Sequence, residues 1–371
     1  MKTIKIFIII ISILTGINAY SQDPSFSQFY NNQTYYNPAF VGIHGGMMAN
    51  LTYRRQWVKI PGKFETEYFN FDSDLSCING LGGIGISAFR DVEGMGYLNN
   101  TGASFMLSIR KFLKENSFIQ FGTNISIIQQ TADFSNFIFS DQYDAINGYT
   151  PNTEFKYLTD KNTIFPDISF GLVFKGGDGP RKGIFNSNYD YKLGASINHL
   201  VSQNNSFLGK ESKIPTKIVL SGNMNIATNR DASNLISPGI VYEFNLDYPQ
   251  GNLLIGFNYT LNESFFIGGW GHIGDISTVS FVAGFNSKFF VHNKSTFDLM
   301  KFYYCYDITV SGIDNTSTGG SHEIGISYFF NKSLCKLMGW GSNKYNYGTK
   351  YKKRRRIPCN EPNNGYGFLI I

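Results

Sequence analysis

The sequence predicts an all-β fold, a transmembrane antiparallel β-barrel of the outer-membrane type with about 14 strands and both termini periplasmic. Three observations carry this. Apolar and polar residues alternate with period two over many short stretches. The first residues read as a secretory signal. Tyr and Phe are abundant, Gly is frequent and charge is sparse, while the mean hydropathy stays slightly polar. A bundle of membrane helices would be far more apolar. A barrel hides its apolar half in the average, because lipid-facing and lumen-facing residues alternate.

Residues 1–21 come first as a signal peptide. Lys2 and Lys5 form a basic start, and Ile6 to Leu14 form an apolar run too short to span a bilayer as a helix. Ala19-Tyr20-Ser21 supplies the small-x-small cleavage pattern, which places the mature start at Gln22. An uncleaved N-terminal anchor is the alternative. No other apolar run is long enough to be a spanning helix. Residues 22–46 are aromatic but do not alternate, so they form a periplasmic or lumenal N-terminal segment.

Strands are expected near 47–58, 64–74, 81–90, 97–111, 117–129, 165–175, 188–199, 215–228, 235–245, 252–261, 264–270, 276–286, 299–311 and 321–331. In the fifth, Ile119, Phe121, Ile125 and Ile127 alternate with Gln120, Gly122, Asn124 and Ser126. In the last, Ile324, Ile326, Tyr328 and Phe330 alternate with Glu323, Gly325, Ser327 and Phe329. Alternation alone also fits a soluble sandwich whose apolar face points inward. The signal peptide and the number of strands favour a barrel over 47–331. An even strand count puts both ends of the sheet on the periplasmic side, and the longest loop, about 130–164, on the outside. Residues 332–371 form a basic periplasmic tail.

The formal charge is +5, and loss of Lys2 and Lys5 leaves +3. Six of the remaining positive charges cluster in the tail: Lys350, Lys352, Lys353, Arg354, Arg355 and Arg356. The barrel body is therefore mildly acidic, which argues against a nucleic-acid partner. The tail reads as a solvated charge run, or as an electrostatic dock for an acidic periplasmic partner. The compartment permits disulfides. Cys335 and Cys359 both follow the last strand and are the preferred pair, with Cys77 and Cys305 left over; unpaired cysteines are the alternative.

No enzyme chemistry emerges. Gly269-Trp270-Gly271-His272-Ile273-Gly274 spells a dinucleotide fingerprint, but a strand pattern follows where a helix is needed. Asp72-Ser73-Asp74 starts like a calcium loop and lacks its glycine and closing glutamate. Gly177-Asp178-Gly179-Pro180 reads as a turn. His44, His199, His272, His292 and His322 have no metal-ligand spacing and read as interface or loop residues. No catalytic residue, cofactor or metal is expected.

The mature N-terminus reads Asp23-Pro24-Ser25-Phe26-Ser27-Gln28-Phe29-Tyr30, then Tyr36-Asn37-Pro38-Ala39-Phe40. Tyr53-Arg54-Arg55-Gln56-Trp57 follows, then Asn198-His199-Leu200, Tyr304-Cys305-Tyr306-Asp307 and Gly320-Ser321-His322-Glu323-Ile324. This order resembles the PorP/SprF family of type IX secretion outer-membrane proteins of Bacteroidetes, over essentially the whole mature chain. Cys305 and Arg55 depart from it, standing where a small or hydroxyl residue and an Asn are usual. The resemblance implies a part of the protein secretion and gliding motility machinery. Its partners would be outer-membrane lipid and either a secreted adhesin, through the C-terminal domain of such type IX cargo, or periplasmic motor components.

On a closed barrel the last strand pairs with the first. Asp307 and Glu323 fall on the lumen side by alternation, and Arg54 with them, so a cluster of the three is expected across the closure seam. It serves either as a structural network or as an anchor for a partner or plug, with Asp23–Tyr30 as the ligand. A passive porin or solute transporter, and a soluble secreted binder, are the competing functions.

Overall fold

The computed structural model describes residues 23–339, except 96–97, 115, 134–138, 145–147, 151–160, 178–188, 202–213, 230–232, 247, 275, 288–298, 313 and 331–332. The signal peptide, the Lys350–Arg356 run and Cys359 lie outside the described residues, as does 178–180 of the expected turn.

Fourteen antiparallel strands close into one barrel. They are β1 Met47–Arg55, β2 Lys63–Asp74, β3 Leu81–Gly94, β4 Leu98–Lys114, β5 Ser117–Ala132, β6 Lys161–Gly177 and β7 Tyr189–Asn198. The circuit continues with β8 Lys217–Ala227, β9 Leu235–Asn245, β10 Tyr248–Leu261, β11 Phe265–Ile273, β12 Thr278–Asn286, β13 Leu299–Thr309 and β14 Ser321–Phe330. Each strand pairs with its sequence neighbours, and β14 returns to β1, from Met47 opposite Phe330 to Arg55 opposite His322. Between β5 and β6 a small hairpin pairs Tyr143–Asp144 with Gly148–Tyr149. β3 to β6 run for 14 to 17 residues. A bilayer needs only about 9–11 residues of tilted strand, so β4 to β6, the longest of the fourteen, stand taller than the rest of the wall.

The ambiguity left by alternation is resolved by which face is covered. Ile127 is 62 % exposed and Ile125 52 %, whereas Gln120 between the same strands' inward positions is 0 % exposed. The same holds on β10, where Ile255 and Phe257 point out and Asn258 and Thr260 are buried. A sandwich would bury the apolar face. Here that face forms the outer belt, as lipid requires, and the polar face lines the interior. The Gly269–Gly274 run is part of this wall, with Gly269 to Ile273 paired to β10.

The interior is filled by the N-terminal segment. It consists of three short turns, Phe29–Asn31, Gln33–Tyr36 and Pro38–Phe40. Phe26, Phe29, Tyr30, Tyr36, Ala39, Phe40 and Ile43 form one buried cluster with inward residues such as Tyr68, Val219, Phe266, Trp270 and Tyr303. Even strand number does place the start of β1 and the end of β14 at one mouth. Asp23 lies at the other mouth, against His199 after β7 and Lys217 at the start of β8. Having no strand partner of its own, the segment runs the length of the lumen before the chain enters β1.

The cysteine pairing is corrected. Cys335 is bonded to Cys77, not to Cys359, with their Cα atoms 6.2 Å apart. Barrel closure brings the β2–β3 turn beside the short helix Leu334–Leu337, and the Leu334 amide donates to Ser73 Oγ at 3.1 Å. Cys305 is free and buried on β13.

Candidate functional site: the plugged lumen

The plug is held at four levels. At the seam, Arg54 and Glu323 are opposite partners on β1 and β14. Arg54 Nη1 lies 2.7 Å from Asp307 Oδ2 and 3.3 Å from Glu323 Oε2, so the structure brings these three expected residues together. All three are buried. Two carboxylates facing one guanidinium need further donors, and the plug supplies them. Ser27 N–H donates to Glu323 Oε2 at 2.7 Å, and its hydroxyl donates to Asp307 Oδ2 at 2.7 Å. Arg54 also reaches the Ser27 hydroxyl. The Tyr303 hydroxyl donates to Glu323 Oε1 at 3.2 Å. Gln28 Nε2 lies 3.7 Å from Cys305 Sγ.

In the middle, aromatic packing dominates. Tyr30 meets Trp270 edge-on at 5.5 Å and donates its hydroxyl to Pro238 O at 2.6 Å. The Phe26 ring packs edge-on against Tyr35 at 5.0 Å, while its amide donates to the Tyr36 hydroxyl at 3.1 Å. Asn37 caps the turn that Pro38 begins, its Oδ1 accepting from Ala39 N–H at 2.8 Å. Its Nδ2 donates outward to Leu172 O and Ala195 O, each at 3.2 Å. The wall at this level must be bare. Gly122 and Gly171 are register partners, and a Cβ on either would collide with Ala39 or Asn37.

Nearer β1, Arg110 donates to Gly42 O at 2.7 Å and pairs with Asp74 at 2.8 Å, while Gln120 Nε2 donates to Val41 O at 2.6 Å. Asp72 accepts from Gly42 N–H at 2.8 Å. Of the would-be calcium residues, Asp72 thus serves as a plug acceptor and Asp74 holds Arg110. Among the described residues no group of His, Cys, Asp and Glu could hold a metal.

The fourth level is the opposite rim. Asp23 accepts from His199 Nε2 at 3.0 Å and from Lys217 Nζ at 2.5 Å. Asp167 lies 3.3 Å from His199 Nδ1, and Glu243 lies 3.5 Å from Lys217. Burial alone would lower the His199 pKa, but Asp23 and Asp167 outweigh it and push it up to about 10. Burial raises the Asp23 carboxyl, and His199 and Lys217 reverse that and hold it well below the usual carboxylate range. Beside this latch a vestibule opens between the plug and the β3–β6 wall, lined by Pro24, Tyr35, Phe89, Asn124 and Ser126. Sequence reasoning missed Lys217, Asp167 and Arg110, met Asp74 only in the incomplete calcium-loop run, and treated His199 as an interface or loop residue. The signal for His199 was present in Asn198-His199-Leu200, at the end of a strand.

Residues 18–328 match the family model described as type IX secretion system membrane protein PorP/SprF. The chain belongs to that family. A closed barrel with an apolar outer belt places this family member in the outer membrane. No curated protein matches the chain. Among solved structures, the chain is similar to the toluene transporter TbuX of Ralstonia pickettii, at 8 % identity and TM-score 0.47, covering 81 % of this chain and 93 % of that one. It is also similar to the monoaromatic hydrocarbon channel CymD, at 10 % identity and TM-score 0.43, covering 82 % and 93 %. A FadL homologue of Pseudomonas aeruginosa matches at 9 % identity and TM-score 0.41, covering 81 % and 94 %. At such values these likenesses say nothing about what this chain carries.

Proposed function

We propose that this family member is a non-enzymatic, plugged scaffold of the type IX secretion and gliding motility machinery, which pairs with a secreted surface adhesin or with periplasmic motor components. The observation that supports it is the lumen. The N-terminal segment is bonded to the wall from one mouth to the other and packs there as a protein core. A passive porin needs an open aqueous path, and this barrel spends its lumen on holding its own chain. The mouth where β14 ends is taken as periplasmic, which leaves the two longest connections, 133–160 and 199–216, on the outside. The basic tail then starts on the periplasmic side, where a motor or secretion component would meet it.

Gene deletion followed by an inventory of surface and secreted proteins tests the role. Loss of one large adhesin fits a cargo-specific scaffold, and loss of motility with secretion intact fits motor coupling. Unchanged secretion and motility with altered solute uptake refutes the scaffold and favours the porin. In planar bilayers the intact protein should not conduct, whereas a chain lacking 24–43 should. Deleting 350–371 should weaken co-purification of a periplasmic partner in a salt-sensitive way.

A further inference from the structure

On the inner face of β6 and β7, Lys175 and Lys192 are directly opposite partners in the register. Lys192 faces Asn223 of β8 on its other side. Like charges at directly opposite positions repel, with Cβ atoms about 4.5–5.5 Å apart. The other lumenal cations already described, Arg54, Arg110 and Lys217, each meet a carboxylate. Neither ammonium of this pair has a hydrogen bond or ion pair among the described residues; Lys175 only lies 5.9 Å from the Phe118 ring centre. Lys192 is 7 % exposed, so its charge is withdrawn from water with no direct ion pair among the described residues.

The surrounding groups do not neutralise the pair. Asp190 stands two residues nearer the mouth on β7, opposite Gly177, and its Oδ1 accepts from Asn225 Nδ2 at 3.1 Å. One carboxylate, already engaged, faces two ammonium groups. From the plug, desolvation and then the fields of Lys192 and Lys175 hold His44 well below the usual imidazole range. Lys175, Asp190 and His44 are half-buried, so the pair is open toward the mouth where β14 ends.

We infer that Lys175 and Lys192 form a binding site for a single oxyanion, a carboxylate or phosphate group, at the mouth where β14 ends. An anion between the two ammonium groups turns a repulsive cross-strand pair into two charge-assisted hydrogen bonds, and Asn223 adds an amide donor. The inference is independent of the partner proposed above, because it rests on the register and on unmatched charge.

Thermal unfolding of the purified full-length barrel in detergent tests it, in sodium chloride against sodium phosphate or N-acetylglutamate amide at equal ionic strength and neutral pH. The wild type should gain several degrees in at least one of the two anions. A response to phosphate alone assigns a free phosphate, and a response to the blocked glutamate assigns an acidic peptide group. K192Q should unfold at a higher temperature than wild type in chloride, because the repulsion is gone, and should lose the response. Equal unfolding temperatures in all three salts, or an equal response in K192Q, overturns the site. If K192Q does not assemble, K175Q, at the more exposed lysine, supports the same comparison.

Discussion

Two neighbouring points near the start of the plug, Ser27 and Asp23, are fastened by the same kind of chemistry in different surroundings. At the seam, Arg54, Asp307 and Glu323 are sealed from water, and Ser27 completes them. At the rim, Asp23 binds His199 and Lys217 with 27 % of its side chain still exposed. A sealed network is brittle, because removing one member strands the others in a low dielectric. A rim latch is compliant, because water replaces whatever is lost. The first belongs to barrel closure, and the second can be adjusted from solution.

The largest effect should come from Arg54→Met, which leaves two buried carboxylates without their cation. Breaking such a buried network costs about 3–5 kcal/mol, to be read as a lowered unfolding temperature or failed assembly. A smaller loss than in a rim variant would reverse the comparison. Cys77→Ser removes the cross-link at the end where the plug joins β1. A loss of about 2–4 kcal/mol is expected for a disulfide, and the wild type in reductant should match it. Asp23→Asn should cost about 1 kcal/mol or less, given its exposure. Its signature is faster protease clipping of the N-terminal segment while the barrel stays folded.

The rim should also respond to pH. His199 is raised from its ordinary 6.5 to about 10, so its contribution is whole below pH 6.5 and fades as pH rises through about 10. Asp23 is lowered from 3.8, so its contribution is whole above that value and fades on acidification. Clipping of the segment should therefore increase from about pH 6 to about pH 10, and His199→Gln should flatten that rise. The seam should not follow this profile. Smallest of all, Cys305→Ser should change stability by under about 1 kcal/mol, since a hydroxyl can keep the contacts to Gln28 and Asp307.

The wall was legible because its information is local. All fourteen strands announce themselves by alternation, and Arg54, Asp307 and Glu323 follow from parity on β1, β13 and β14, once closure is assumed. The rim was not legible, because Asp23 meets partners 176 residues away at the end of β7 and further on at the start of β8. Its position depends on a plug without periodicity. The pairing of Cys77 with Cys335, 258 residues apart, follows from closure bringing a turn beside the tail. Nearness in sequence to Cys359 carried no such information. The same holds for Gly122 and Gly171, ordinary strand glycines until Asn37 and Ala39 are seen pressed against them.

The Cys77–Cys335 link has a mechanical consequence. Without it, a pull on the chain beyond β14 would peel that strand from β1 like a zipper, one backbone pair at a time, starting at Phe330. The link sits between the end of β14 and the tail, so traction passes instead into the turn joining β2 and β3. Those strands are held on both sides, and the load spreads across the cylinder and the aromatic column within it. The closure seam, the one place where the circuit of strands could be opened from an end, is shielded from any force carried by the tail.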